Sequence, residues 1–432
     1  MKTLTLIAAL VVATSVPARE LTLEQALELA SRHSFSLQKA RALTDAASAD
    51  HRAARAERFP TLSAIGNGTY ISDVSTLNIP LPTGQSLERE VGTHENYQAD
   101  LRLNLPLFTG GRISGGIALA RASQELHAAL ESADQDKIAY LTRLEYFGLY
   151  RTTELRKVAE ASLHRADVIS RNVHSLYEAG AADSVALLDA QLALIRAQLA
   201  VEQATTNRRI SELRMLTMLG LPYAESLSID AVISSPTQVS PDALVAPDKP
   251  ELLAAEASTQ VAAAKYRVSK AEYFPTIAAF GGYSYGKPNL DRFGNSWNDY
   301  FTAGATLTWS FNVGGRTANR SRAAAHSLEA SRSERDQVLE TLTREANLAA
   351  EQLKLAYTRY QTSLREFQIS EDHFRLAQGQ HSDGVLSSNR LLEIEADLTA
   401  SEASLAASLM DYYIAQSGYF YTTGSENLKK GI

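Results

Sequence analysis

The 432-residue chain has no cysteine, which excludes a disulfide framework, a thiolate metal centre and an acylated N-terminal cysteine. It also lacks an excess of positive charge. Forty-two basic against 49 acidic residues give a net charge of −7, so nothing corresponds to the basic footprint of a nucleic-acid binder. Beyond the amino terminus, no uninterrupted apolar run reaches the roughly 18 residues that a membrane-crossing helix requires. If the chain enters a membrane, the sequence predicts that it does so with strands. The one apolar run, Leu4 to Ala13, follows Lys2 and precedes Val16-Pro17-Ala18, which reads as a secretory signal over residues 1–18.

What is present is alternation. Leu101, Leu103, Leu105 and Leu107 interleave with Asp100, Arg102, Asn104 and Pro106, the period of two of a strand with one apolar and one polar face. Phe108-Thr109-Gly110-Gly111-Arg112 ends the pattern and a long helical run begins. The device returns 204 residues later, where Ala303, Ala305, Leu307, Trp309, Phe311 and Val313 alternate with polar or small residues before Gly314-Gly315-Arg316 and another long helix. Phe59-Pro60-Thr61 and Phe274-Pro275-Thr276 are a second echo at offset 215, and Gly180 and Gly384 a third at 204. The 11-residue difference must fall within the first hairpin, most cheaply in its loop.

This spacing predicts two repeats. Repeat 1 (19–220) comprises a helix over 22–58, opened by a Thr22/Gln25 capping box, a hairpin over 61–108, a long helix over 112–177 and a helix over 183–219. A proline-rich linker (221–250) leads to repeat 2 (251–421), with a first helix over 249–273, a hairpin over 276–313, a long helix over 316–381 and a helix over 387–418; a flexible tail (422–432) follows. The long helix 112–177 would extend roughly 100 Å at about 1.5 Å per residue. Seams such as Leu188, Leu192, Ile195 and Leu199 have the spacing of helices packed side by side. Four strands cannot close a barrel, and open edges are not tolerated in lipid. Two chains would give eight strands, a barrel filled by its own side chains, whereas three give twelve and a water-filled bore. The fold class expected is mainly α with a membrane β-barrel: a homotrimer whose twelve-stranded barrel continues into a helical tube. Phe108, Trp309 and Phe311 would form an aromatic girdle where strands meet helices, with Trp297, Tyr300 and Phe301 at the opposite rim.

At these residues the chain resembles the TolC-like outer-membrane efflux protein family, over nearly its whole length. The resemblance rests on Leu23-Glu24-Gln25-Ala26-Leu27-Glu28-Leu29-Ala30, the Phe-Pro-Thr strand openings, Leu105-Pro106-Leu107-Phe108-Thr109-Gly110-Gly111-Arg112 and the paired glycine turns. It implies the exit duct of a tripartite pump in the outer membrane of a Gram-negative bacterium, with a long periplasmic extension and no cofactor. The implied partners are a periplasmic adaptor and an inner-membrane transporter of RND, MFS or ABC type. It further implies that acidic residues beyond the second glycine turn constrict the closed tunnel. Those positions fall on Arg390 and Glu393, with Asp189 the counterpart of Glu393 in repeat 1; Arg390 departs from the pattern, a base where an acid is expected. Adaptor docking is implied at the turns holding Gly180, Asp183, Gly384 and Ser387.

Competing chemistry is weak. Gly282-Tyr283-Ser284-Tyr285-Gly286 matches a nucleophile pattern but lies in an alternating strand rather than at a strand-to-helix turn. Gly110-Gly111-Arg112 lacks the lysine and hydroxyl of a phosphate loop. The nine histidines are scattered, without metal-ligand spacing. The chain is therefore expected to be no enzyme. Two other readings use the same pattern: the duct of a one-step protein secretion system, and a trimeric coiled-coil spacer without a pore.

Overall fold

The computed structural model describes residues 19–229, 234–238, 241, 244–290 and 295–431. The expected signal segment 1–18 lies outside them, as do residues 230–233, 239–240 and 242–243 of the linker and 291–294 of the second hairpin loop. In chain order the elements are β1 (Arg19–Glu20), α1 (Leu23–His33), α2 (Phe35–Ala56), β2 (Thr61–Tyr70), β3 (Thr76–Pro80), β4 (Ser86–Glu90), β5 (Glu95–Phe108), α3 (Arg112–Glu178) and α4 (Ser184–Leu219). Then come β6 (Leu227–Ser228), α5 (Pro250–Ala271), β7 (Thr276–Lys287), β8 (Asn298–Thr308), α6 (Arg316–Ser382), α7 (Ser388–Thr423) and a 3₁₀ turn over Glu426–Lys429.

The chain divides into two compact units. The strand-bearing unit comprises Ala42–Ala129 and Leu253–Asp336. Its sheet has the order β2-β5-β7-β8, antiparallel throughout, so the two repeats pair directly through β5 and β7. The cross-strand rows are Ser63–Arg102–Gly282–Thr302 and Ile65–Asp100–Ser284–Tyr300. The pleat then puts Leu62, Ala64, Leu101, Leu103, Tyr283, Tyr285, Phe301, Ala303 and Leu307 on the other face. Two glycines turn the chain from β5 into α3, with φ of 61° at Gly110 and 92° at Gly111. A Cβ at Gly110 would lie 2.7 Å from the Ala271 carbonyl oxygen, so both backbone shape and space demand glycine there.

The helical unit comprises Met1–Arg41, Leu130–Leu252 and Gln337–Ile432. One apolar cluster gathers Leu21, Ala26 and Ala30, Tyr146 and Phe147, Met215 and Leu219, Leu353, and Met410 with Tyr412. A second, Ile169, Val173, Ala190, Phe374, Ala377, Leu391, Ile394 and Leu398, joins α3, α4, α6 and α7.

Several expectations need correction. The helix over 22–58 starts at the expected capping box (Gln25 N donates to Thr22 Oγ1 at 3.2 Å) but breaks at Ser34. Ser34 N–H closes α1 on the Ala30 carbonyl while its hydroxyl accepts from Leu37 N and opens α2, so one serine serves both ends. The loop over 73–95 contains a second, smaller hairpin, β3–β4. Strand β8 ends at Thr308, so Trp309, Phe311 and Val313 follow the strand rather than belong to it. The tail from Thr422 is docked, not loose: α7 runs to Thr423, Leu428 is 1% exposed, and the Lys430 carbonyl accepts from Arg143 Nη1 at 2.8 Å. The cause is Arg143 itself. Buried between the Phe147 and Phe420 rings, it satisfies its guanidinium on Ser417 Oγ and that tail carbonyl, and burial lowers its pKa to about 10. Finally, among the described residues one helix, α4, is long and apolar enough to cross a membrane by length and composition. Its large exposed apolar residues (Val185, Leu188, Leu192, Ile195 and Leu199) form a single stripe at three- and four-residue spacing, the mark of a helix-packing seam.

Candidate channel wall and tip

The sheet is inside out for a water-soluble protein. Leu62, Leu101, Leu103, Tyr283, Phe301 and Leu307, all on one face, are exposed, while Asp100 and Ser284 on the other are buried. Strands of 10, 14, 12 and 11 residues meet or exceed the roughly 9–11 that a tilted strand needs to cross a bilayer. Both edges, β2 and β8, lack a strand partner among the described residues.

Aromatic rings mark both ends of the sheet. At the helix end Trp309 packs on Phe311 at 4.7 Å between ring centroids and donates from Nε1 to the Tyr273 carbonyl, with Phe108 exposed at the close of β5. At the other end Trp297 stacks on Tyr285 (5.1 Å) and Tyr97 (6.3 Å). Tyr300 separates from this set. The register places it on the polar face in the row of Asp100 and Ser284, and Phe301 takes the apolar side. Ser284 sits mid-strand, accepting from Gln98 Nε2 at 3.1 Å, without the turn a nucleophile would need.

The two helix–helix turns are near copies. Gly180 and Gly384 both have φ of 73°. Ala181 N donates to Leu176 O at 2.8 Å, and Val385 N to Gln380 O at 2.9 Å, the six-to-one bond of a glycine-terminated helix. Asp183 and Ser387 cap the following helices through Ala186 N (2.8 Å) and Arg390 N (3.4 Å). The turns bring the repeats together: Asn389 Nδ2 on α7 donates to Asp189 Oδ2 on α4 at 2.9 Å. Arg390 Nη1 meets Glu393 Oε2 at 2.6 Å, an exposed pair one turn apart. Asp189 is thus tied to Asn389, and Glu393 to Arg390, in two separate contacts.

Sequence reading missed the strongest polar feature of this region. Arg165 on α3 is clasped by α7, donating to Glu395 (3.0 Å), to both oxygens of Glu402 (3.2 and 2.8 Å) and to Thr399 Oγ1 (2.9 Å). Ser162 adds a bond to Glu395. Burial alone would lower the Arg165 pKa, but the two carboxylates outweigh it and the net direction is upward. The signal was readable: Glu395 and Glu402 are seven residues apart, hence on one face of α7, beside the seam of Leu391, Ile394, Leu398 and Ser401.

An antiparallel sheet with an apolar exposed face, aromatic ends and no strand partner at either edge among the described residues, in a chain that also carries four long helices, is the pattern of an outer-membrane channel protein. The chain belongs to the outer membrane efflux protein family, whose model matches residues 26–221 and 245–418. The family's description assigns it to the outer membrane and to efflux. It is 27% identical over 382 residues to the solvent efflux pump outer membrane protein SrpC of Pseudomonas putida, covering 84% of this chain and 76% of that one. Among solved structures it resembles the Campylobacter jejuni CmeC outer membrane channel (TM-score 0.79, 15% identity, 93% of this chain and 85% of that chain). It also resembles the outer membrane protein VceC of Vibrio cholerae (TM-score 0.78, 16% identity, 93% and 96%).

Proposed function

We propose that three copies of the chain close one twelve-stranded barrel and one helical tube, and that this trimer exports small molecules delivered by an inner-membrane transporter through a periplasmic adaptor. The observation that carries the reading is the sheet with both edges open and its apolar face exposed. In lipid every unpaired strand edge costs several kcal/mol per unsatisfied group, so β2 of one copy must pair with β8 of the next. Two copies would close eight strands and leave no bore. Exposed stripes on α4 (Leu188 to Leu199) and on α6 (Leu348, Leu355, Ile369 and Leu376, mostly seven apart) supply matching seams for a neighbouring copy.

In this assembly Phe108, Trp309, Phe311, Trp297 and Phe301 sit at the two lipid interfaces. Asp189, Arg390 and Glu393 ring the periplasmic aperture, and the Gly180–Asp183 and Gly384–Ser387 turns receive the adaptor. The relatives' role in solvent efflux favours small apolar cargo. A transporter of RND, MFS or ABC type supplies the energy.

The cysteine-free sequence permits a clean test. Within one chain β2 and β8 are three strand spacings apart, about 14 Å, beyond the roughly 7 Å reach of a disulfide. Cysteine pairs placed along the two edges should therefore oxidise only between copies. A covalent ladder ending at three supports the reading. Ladders ending at two, or no cross-linking at any register, overturn it.

A further inference from the structure

On the polar face of the sheet, charge is confined to one level. From Thr61 to Thr69, Asn96 to Asn104, Thr276 to Gly286 and Asn298 to Thr308, the polar-facing positions carry only two side chains of the charged types Asp, Glu, Lys and Arg, namely Asp100 and Arg102. They are held very differently. The Asp100 side chain is 6% exposed, gripped by Gln98 Nε2 at 3.0 Å on one oxygen and by Arg102 Nη2 at 3.4 Å on the other. Gln98 is itself fixed by a second bond to Ser284 Oγ. The Arg102 side chain is 61% exposed. It stands over a hollow of about 500 Å³ walled by Ser63, Asn104, Phe280, Tyr300 and Thr302. Residue 282, directly across from Arg102, is glycine, and a Cβ there would come within 3.1 Å of Thr302 Oγ1.

We infer that Arg102, backed by the recessed Asp100, is an electrostatic filter in the outer barrel that favours anionic over cationic solutes. The inference rests on the trimeric channel reading above, in which this face lines the bore and three Arg102 guanidinium groups form a ring. The asymmetry decides the sign. The carboxylate, recessed with both oxygens bonded, fixes the arginine's position, and the guanidinium is the more exposed of the two, so a passing ion approaches the cation more closely. The guanidinium keeps its remaining donors free toward solvent. The filter is separate from the tip: it lies on strands β5 and β7, and its effect does not depend on Asp189 or Glu393.

The test is the reversal potential of purified trimers in planar bilayers, under a salt gradient at about 10 mM, where the screening length is about 30 Å, and again near 1 M, where it is about 3 Å. Arg102→Gln should raise the cation-to-anion permeability ratio several-fold at low salt and leave it nearly unchanged at high salt. Arg102→Lys, which keeps the charge but loses the fork, should stay close to the native ratio. Asp100→Asn should shift the ratio slightly toward anions. If Arg102→Gln conducts with the native reversal potential at both salts, the filter is wrong and the channel reading stands. If native trimers carry no current at all, both fall together.

Discussion

The two repeats diverge most where they are clasped. At offset 204, Arg165 of α3 corresponds to Ile369 of α6, and Glu395 and Glu402 of α7 correspond to Gln191 and Gln198 of α4. The first set forms a part-buried charged clip; Ile369, Gln191 and Gln198 are all exposed. The glycine turns, by contrast, agree to within a tenth of an ångström in their closing bonds. At the other extreme, the first hairpin carries the additional β3–β4 hairpin, which has no counterpart in the second among the described residues. Backbone turns that must reverse a helix pair are held by conformation and cannot drift. Surface loops are free to lengthen, and contacts between helices can be ionic on one side of the pseudo-repeat and apolar on the other.

The largest effect should come from the clip. Arg165→Gln leaves one buried and one half-buried carboxylate, Glu395 and Glu402, with no cation; for a truly buried pair the loss is about 3–5 kcal/mol. Arg165 is 17% exposed, which places it toward the lower end. A marked drop in the melting temperature of detergent-solubilised protein, with faster amide exchange between residues 390 and 405, is the expected result. Gln198→Ala, at the counterpart of the clip residue Glu402, should change stability by no more than about 0.5 kcal/mol. Equal effects at the two sites would remove the asymmetry on which the comparison stands.

A second asymmetry lies at Glu212, whose counterpart is Gln416. The Glu212 carboxylate is 2% exposed; burial pushes its pKa up, but Leu227 N–H (2.7 Å) and the Arg209 and Arg208 guanidinium groups outweigh burial and lower it. A carboxyl held below its ordinary value of about 4.3 contributes stability that is fully present above that pH and is lost as the pH falls through the folded value. Melting temperatures of native protein and Glu212→Gln should therefore differ at pH 7 and converge toward pH 3. A gap that widens with acid would reverse the assignment.

The glycine turns predict equality. Around both Gly180 and Gly384 an added Cβ meets nothing within 4 Å, so Gly180→Ala and Gly384→Ala are left with the backbone cost alone, about 1–2 kcal/mol each. Amide exchange at the ends of α3 and α6 should rise to the same degree. A larger effect at one turn would mean that something beyond φ is built into it.

Much of this was legible because duplication makes its own controls. The Phe-Pro-Thr and Gly-Gly-Arg marks located the strand ends to within a few residues, and the alternation of 100–107 fixed which side of β5 is apolar. The break at Ser34 was not legible, since a serine inside an amphipathic run is compatible with a continuous helix until its hydroxyl is seen accepting from Leu37 N. The parity of Tyr300 was lost because Trp297, Tyr300 and Phe301 were grouped by residue type, whereas a one-residue step on a strand changes face. The docked tail escaped because its anchor, Arg143, lies nearly 290 residues upstream. Long-range polar pairs leave no periodic trace, and the Arg165 clip was visible only as a heptad spacing of two glutamates.

The smallest effect on stability should fall at the proposed aperture, and that smallness makes it informative. Arg390 and Glu393 are more than half exposed, and such pairs contribute about 0.2–0.5 kcal/mol at most. Arg390 also occupies the first turn of α7, where the helix dipole disfavours a cation. Neutralising Glu393 to Gln should thus leave melting and trimer yield unchanged, so any functional change is not a folding defect. If the tip constricts the duct, Glu393→Gln removes three acids from the aperture and frees Arg390 from its partner, and both changes move selectivity toward anions. Asp189→Asn acts in the same direction but also weakens the Asn389 bond that joins α4 to α7, so its conductance should rise as well. Selectivity unmoved by Glu393→Gln in bilayers would reduce the pair to a solvated surface contact and leave the tip turns with docking alone.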